Sequence, residues 1–454
     1  MAAAASSPSS SPVRWWRTAF LTVRDKTLTT PLRTPIPELL HHSIFSHSHT
    51  LLSAAPDLPP QEVTSHLLFV MELVTAKPHS GEDLTPTFTH ITHLIHDISH
   101  RIPLVINSAS WTLLLDFVNK MLRYFIGSSS FTQVMEALQT LRRVMSTYQR
   151  KRSMAEEVLL VKFLLRIIES SHAELSCFSN SILNQSSVLE VGKRMPVPRY
   201  GSLWEIQTLA FTMVGEAISR VGSYFPLDIW RSTIELMEDA FMSRPPHLRQ
   251  GDNSNMKQSE ARGSQSLSDH ESSANEFALS DSDYGDSDGS IKDTDNIQKS
   301  KVRVAAIVCI QDLCQADSKS FTSQWTLLLP TSDVLRPRKY EATLMTCLLF
   351  DPYLKARVAS ASTLEAMLDG PSSVFLQVAE FKESSKRGSF KALSSSLGHI
   401  LMQLHTGILY LIQCETHSRL MASLLKILML LRSSTPMHLL ILLGLAFLLL
   451  VFLF

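Results

Sequence analysis

Glycine is scarce in this chain, 15 residues in 454, about half the usual share. Sheets joined by tight turns consume glycine, so the shortage counts against a β-rich architecture. A charge excess of either sign is missing as well: 42 Lys and Arg balance 42 Asp and Glu. No overall field therefore draws nucleic acid or an anionic membrane surface, and a nucleic-acid partner is not expected. The five cysteines (Cys177, Cys309, Cys314, Cys347, Cys414) form no Cys-x-x-Cys pair. They read as reduced thiols used as small core residues, which suits cytosol or nucleus.

Catalytic signatures are missing too. The sequence contains no P-loop, GxGxxG, HExxH or GxSxG, so neither a phosphate cradle nor an activated nucleophile is marked. No enzyme activity, cofactor or small-molecule substrate is expected. The histidines are the one set with metal-ligand potential: His90, His93, His96 and His100 recur at helical spacing. They cover an arc of about 120°, opposite Ile91, Leu94, Ile95 and Ile98. A solvated outer face explains them more simply than a metal site.

Helical periodicity is abundant. Apolar spacing predicts helices over Val63–Ala76, Thr87–Ser99, Trp111–Ile126, Thr132–Tyr148, Ala155–Ser170, Trp204–Ser219 and Leu227–Met242, and again over 301–315, 339–350, 354–368, 372–382, 394–413 and 417–431. The breaks carry Lys77-Pro78, Gly127-Ser128, Pro196-Val197-Pro198, Phe225-Pro226 and Pro245-Pro246, residues that stop helices sterically or through backbone freedom. Lengths of this order joined by short loops suit antiparallel helix pairs. The basic cluster Arg142, Arg143, Arg150, Lys151 and Arg152 reads as charge complementing a helix C-terminus. The apolar connection Trp325–Pro330 is expected to pack on the helices.

Residues 249–299 differ in kind. They are rich in Ser, Asp, Gly and Asn, and Asp269 to Asp295 holds nine acidic residues against one Lys. Too little can be buried to offset the ordering entropy, so an acidic, disordered spacer is expected. Ser266, Ser268, Ser273 and Ser280 each have an acidic residue three positions on and are candidate phosphorylation sites.

One pattern occurs twice. Lys301-Val302-Arg303-Val304-Ala305-Ala306 and Lys355-Ala356-Arg357-Val358-Ala359-Ser360 superpose at an offset of 54 residues. Val304, Ile307, Ile310 and Cys314 then align with Val358, Ala361, Leu364 and Leu368, an apolar helix face preceded by Arg. Asp351-Pro352 stands ahead of the second copy. A repeated amphipathic helix buries its face only against its neighbours, the mark of a stacked-helix array.

Asp351-Pro352 with Arg357-Val358-Ala359 and Leu364 resembles the second helix of a HEAT repeat. The wider block from Lys301 through Leu431, with Trp325-Thr326-Leu327-Leu328, Arg336-Pro337 and Lys355-Ala356-Arg357, is similar to the conserved domain of the HEAT-repeat-containing protein six family and its plant relatives. That resemblance implies an all-α, ARM/HEAT-type α-solenoid that binds other proteins, with no ligand to carry over. Two departures stand out: the 54-residue offset exceeds the roughly 40–47 of a HEAT unit, and the family's further repeats give way to an apolar tail.

That tail, Leu439 to Phe454, is uncharged. As a helix it is about 24 Å long, and about 27 Å with Met437 and His438, which suits a thin bilayer. Leu439, Leu443, Phe447, Val451 and Phe454 are its representative residues. At the other end, residues 1–24 carry Arg14, Arg17 and Arg24 without an acid, the composition of a transit segment or of a disordered start. The expected organisation is therefore a disordered leader (1–14), N-terminal helical repeats (15–248), the acidic loop (249–299), a HEAT-like helical domain (300–434) and a C-terminal membrane helix (437–454). The expected function is a non-catalytic scaffold or adaptor for an unidentified protein partner, with a single-pass membrane anchor and its bulk in the cytosol. The alternative is a soluble, karyopherin-like transport or nucleic-acid-associated factor of cytoplasm or nucleus, whose tail is a splice or gene-model artefact.

Overall fold

The structure, a computed structural model, describes residues 11–28, 35–76, 83–127, 131–147, 153–185, 198–221, 291–322, 325–335, 343–369, 376–377, 379 and 393–436. Among the described residues every regular element is helical and no strand occurs. Helices α1 (Pro12–Leu28), α2 (Ile36–Ser43) and α3 (Ser48–Ala54) open the chain. Four of near-equal length follow, α4 (Pro60–Ala76), α5 (Thr85–Arg101), α6 (Ser108–Gly127) and α7 (Phe131–Thr147). Two longer ones, α8 (Met154–Gln185) and α9 (Pro198–Val221), complete the first block. The second block holds α10 (Ile291–Ala316), α11 (Leu344–Phe350), α12 (Leu354–Leu368), α13 (Leu393–Cys414) and α14 (Ser418–Ser434).

Several boundaries depart from the sequence expectation. The first helix starts at Pro12, inside the expected leader, because Trp16, Phe20 and Val23 are core residues and need the turn before them. Helix α8 runs on to Gln185, since no Gly or Pro occurs between Ser170 and that point. Helix α10 reaches back to Ile291, so residues 291–299 belong to a helix and not to the acidic spacer; polar composition without a breaker does not stop a helix. The expected helix 339–350 is shorter, Leu344–Phe350, opened by a capping box in which Thr343 and Thr346 bond each other's backbone N–H. The predicted helix Leu227–Met242, nearly all of 372–382, the remaining spacer and the tail 437–454 lie outside the described residues.

Local chemistry explains the joints. Asp83 accepts from the backbone N–H of Thr85 and from the Tyr124 hydroxyl, both at 2.9 Å. The same Tyr124 oxygen accepts from the Leu84 N–H at 3.0 Å, tying the start of α5 to α6. The Trp16 indole N–H donates to His66 Nδ1 at 2.9 Å; burial holds that imidazole below its ordinary pKa, so it stays a neutral acceptor. Phe20 stacks on the same ring with centroids 4.6 Å apart. Trp325, Leu328, Leu329 and Pro330 are buried, and the backbone N–H of nearby Val334 donates to Gln403 on α13 at 2.8 Å.

Packing is sequential. Helix α5 lies on α7, α7 on α9, α9 on α10, α10 on α12 and α12 on α14. Partners advance together along each pair: Trp204 meets Lys299 while Gly215 meets Asp312, and Arg357 meets Glu415 while Glu365 meets Lys426. These neighbours therefore run parallel. The return helices make their own contacts, α4 on α6, α6 on α8 and α11 on α13. Close approach is bought with glycine at two points: a Cβ on Gly215 would stand 2.3 Å from Asp312 Oδ2, and one on Gly407 would stand 2.4 Å from Met345 Cε.

The two copies of the repeated helix are α10 and α12, and they touch. Thr363 Oγ1 donates to the Ile307 carbonyl at 3.2 Å, and Cys314 Sγ to the Ala366 carbonyl at 3.6 Å. Their burial repeats in register, and Ile307, Ile310 and Cys314 with Ala361, Leu364 and Leu368 are buried as the sequence leads one to expect; the first position of each face departs. Val304 and Val358 are only half-buried. The buried arc also takes in Val302 and Ala306 in one copy, and Ala356 and Ser360 in the other. Neighbours on two sides demand a wider arc than one apolar stripe supplies. No described helix is long and apolar enough to cross a membrane.

Candidate protein-binding groove

Beside the core, each helix of the parallel row keeps one polar face, and four such faces meet around an open cavity of about 880 Å³. Helix α5 contributes His96 and His100, one turn apart; α7 contributes Met135, Gln139, Arg142, Arg143 and Ser146. From α9 come Glu205, Thr208, Leu209, Thr212, Glu216 and Arg220, and from α10 Lys301. The spacing on α7 and α9 is the helical period read on the side away from the core. Two further voids, between α7, α8 and α9 and between α5, α6 and α7, hold about 10 Å³ each, room for a single water at most.

The groove's electrostatics are mixed and net positive. Arg142 donates to Glu216 Oε1 from Nη2 at 2.5 Å and from Nε at 3.1 Å, with both side chains well exposed, so the pair is worth little on its own. The His96 and His100 Nε2 atoms lie 3.1 Å apart. Partial desolvation, then the charges of Arg143 and His96, hold the His100 imidazole below its ordinary value. Behind Glu216, the Asp312 carboxyl on α10 packs against Gly215. Burial, reinforced by the Glu216 charge and opposed by a Ser219 hydrogen bond, pushes it up to about 6.

The residues singled out in the sequence fall elsewhere. Arg303 is buried and bonds Asp351 through Nε at 2.8 Å and Nη2 at 3.2 Å. Asp351 also accepts from the Tyr353 N–H at 2.9 Å, just before α12. Arg357 donates to the Leu348 carbonyl at 3.1 Å and pairs with Glu415. Glu415 accepts from the His417 N–H at 2.8 Å, just before α14. Each repeated Arg thus anchors the acid that precedes the next helix of the row. Ile310 and Leu364 are buried at matching positions, while Pro352 is exposed in the break. Ser266, Ser268, Ser273 and Ser280, and Leu439, Leu443, Phe447, Val451 and Phe454, lie outside the described residues.

Three expectations need correction or refinement. Arg142 and Arg143 do not complement a helix end: α7 has no basic residue in its last turn, and both side chains face the groove. Arg150, Lys151 and Arg152 lie outside the described residues. The histidine face of α5 is only partly solvated. His93 and His100 are exposed, but His90 is half-buried and stacks on Phe45 at 5.1 Å, because α2 and the turn after it cover that end. Among the described residues no three potential ligands converge on a metal position. Of the cysteines expected in the core, Cys309, Cys314 and Cys347 are buried but Cys414 is exposed; burial drives Cys309 well above the ordinary thiol value and pushes Cys314 and Cys347 up to about 12, with Asp351 adding to the effect on Cys347, so these three stay protonated.

Sequence reasoning missed the groove itself. The only available signal was that the polar residues of α7 and α9 repeat at helical spacing, which marks a solvated face without saying what faces it. Residues 301–445 match a family model described as a Domain of unknown function (DUF4042). The match takes in α10 from Lys301 onward through α14, and of the groove-lining residues only Lys301. No solved structure matches the chain.

Proposed function

We propose that the protein is a non-catalytic α-solenoid scaffold of ARM/HEAT type, whose parallel helix row presents the α5–α7–α9–α10 groove to another protein. The observation that carries this reading is the groove itself: an open, mixed-polarity cavity built from successive helix faces suits a peptide chain better than a small molecule, which needs a largely enclosed apolar site. Recurrence of the Arg–acid bridge from α10 to α12 and from α12 to α14 supports the repeat reading. So does the resemblance to the HEAT-repeat-containing protein six family, which falls on the segment that matches the unknown-function domain.

A photo-crosslinking residue at Gln139 tests the groove, with Asp116 on α6 as the control; both positions are exposed. A discrete adduct is expected from Gln139 alone and should vanish when Leu209→Arg fills the floor. Identical adducts from both positions would refute the reading. The apolar stretch 439–454 supports a membrane-tethered form of the scaffold. Fractionation of the full chain against one ending at Ser434 tests it: the first should pellet with membranes and the second should not, and a full chain that stays in the supernatant ends the anchor reading.

A further inference from the structure

We infer that the groove takes an acidic peptide segment of its partner, an inference that rests on the groove being a protein-binding site. Its lining carries four fixed cations, Arg142, Arg143, Arg220 and Lys301, against two carboxylates, Glu205 and Glu216, in a chain whose formal net charge is zero. Glu216 already holds Arg142. Arg220, in the last turn of α9, and Lys301, beside the start of the α9–α10 contact, both line the groove and make no ion pair among the described residues, so each end of it carries a cation. A cleft lined by one dominant sign focuses its field on an incoming ligand of the other sign. Met135 and Leu209 give a half-buried apolar floor, and Thr208 and Thr212 line α9 beside it. Such a floor suits a helix or strand with an apolar residue between acids.

Nucleic acid fits less well. Among the described residues the rings lining the groove are the imidazoles of His96 and His100, no Trp, Tyr or Phe offers a stacking platform, and Glu205 and Glu216 would face the phosphates.

The test uses the full chain and a fluorescein-labelled peptide of about 15 residues built from Glu-Glu-Leu units, about 22 Å long as a helix, read by anisotropy. Binding is expected, weakening about tenfold between roughly 0.05 and 0.3 M salt as the charges are screened. Arg220→Glu with Lys301→Glu should weaken it tenfold or more, while Arg432→Glu, an exposed charge on α14, should not; thermal melts confirm that each variant is folded. No binding, or equal loss in the Arg432→Glu control, overturns the inference. Displacement by single-stranded DNA as effective as by unlabelled peptide overturns it too. Tighter binding after Asp281→Asn, Asp283→Asn, Asp286→Asn and Asp288→Asn would make the chain's own acidic segment the occupant, and the partner inference would fall. A Lys-Lys-Leu peptide that binds in its place and is lost on Glu205→Lys would leave the groove reading standing and remove only the acidic partner.

Discussion

Arg303, in the first copy of the repeated helix, grips Asp351, which stands at the doorway of the second copy, through two hydrogen bonds of 2.8 and 3.2 Å. Side-chain exposure is 3 % for the Arg and 6 % for the Asp, so neither charge can fall back on water. The carboxylate is committed further by the Tyr353 N–H and by the Cys347 thiol at 3.5 Å, and the guanidinium lies 5.9 Å from the Tyr353 ring. The sequence flagged both residues; their partnership is a property of the fold.

Removing one partner strands the other. Asp351→Ala should cost about 3–5 kcal/mol in urea unfolding, the scale for a buried charge left unpaired. Changing both residues to apolar ones of similar size, Arg303→Met with Asp351→Leu, should cost much less. A double variant as unstable as the single one would show that the pair does more than satisfy itself.

The equivalent bridge one helix later is weaker in kind. Arg357 is 22 % exposed against Glu415 at 6 %. Arg357→Ala leaves the buried Glu415 side chain with only the Thr416 and His417 N–H and should cost about 1–3 kcal/mol, measured in the same unfolding assay.

Asp312 sets a pH dependence at the α9–α10 contact. Its carboxyl is raised to about 6 from a usual 3.8, chiefly by burial, so the folded state holds a proton that the unfolded state gives up. Stability linked to this group is present in full below about pH 4 and is lost as pH rises through 6. Asp312→Asn should add about 1–2 kcal/mol at pH 7.5 and flatten the slope of unfolding free energy between pH 4 and 6. An unchanged slope would contradict the assignment.

Gly215 permits that contact. Gly215→Ala puts a methyl 2.3 Å from Asp312 Oδ2, although the nearest backbone atom, Cys309 Cα, stays at 3.6 Å. The carboxyl must swing away, at about 1–3 kcal/mol. Because only a side chain obstructs, adding Asp312→Ala should recover most of that loss, which a thermal-melt double-mutant cycle measures.

Ile310 and Leu364 occupy matching positions in the two copies and are both about fully buried. Truncation of either to Ala should cost about 2–5 kcal/mol, with losses that fail to add because α10 and α12 pack on each other.

Existence and type of the helices were legible because the helical period is local. The expected 354–368 coincides with Leu354–Leu368, and Val63–Ala76, Thr87–Ser99 and Trp111–Ile126 lie inside α4, α5 and α6. Ends were less legible, as α8 and α10 show, since a helix extends wherever no breaker or lost contact stops it. The repeated Arg-Val-Ala pattern located two helices, yet it misjudged Val304 and Val358, because burial there depends on neighbours on two sides. His90 was misread for the same reason: the Phe45 ring that covers it comes from a segment distant in the chain that packs against α5.

By itself the sequence determined the helical character of the described residues and a helix used twice in the second block. Only the tertiary structure decided that α9 and α10 meet directly through Gly215 and Asp312, that Arg303 finds Asp351, and that His96, Arg142, Glu216 and Lys301 share one groove. Periodicity fixes which face of a helix is polar, through side-chain geometry within a few residues. Which polar faces meet depends on how distant helices stack, and that is set by packing between residues far apart in the chain.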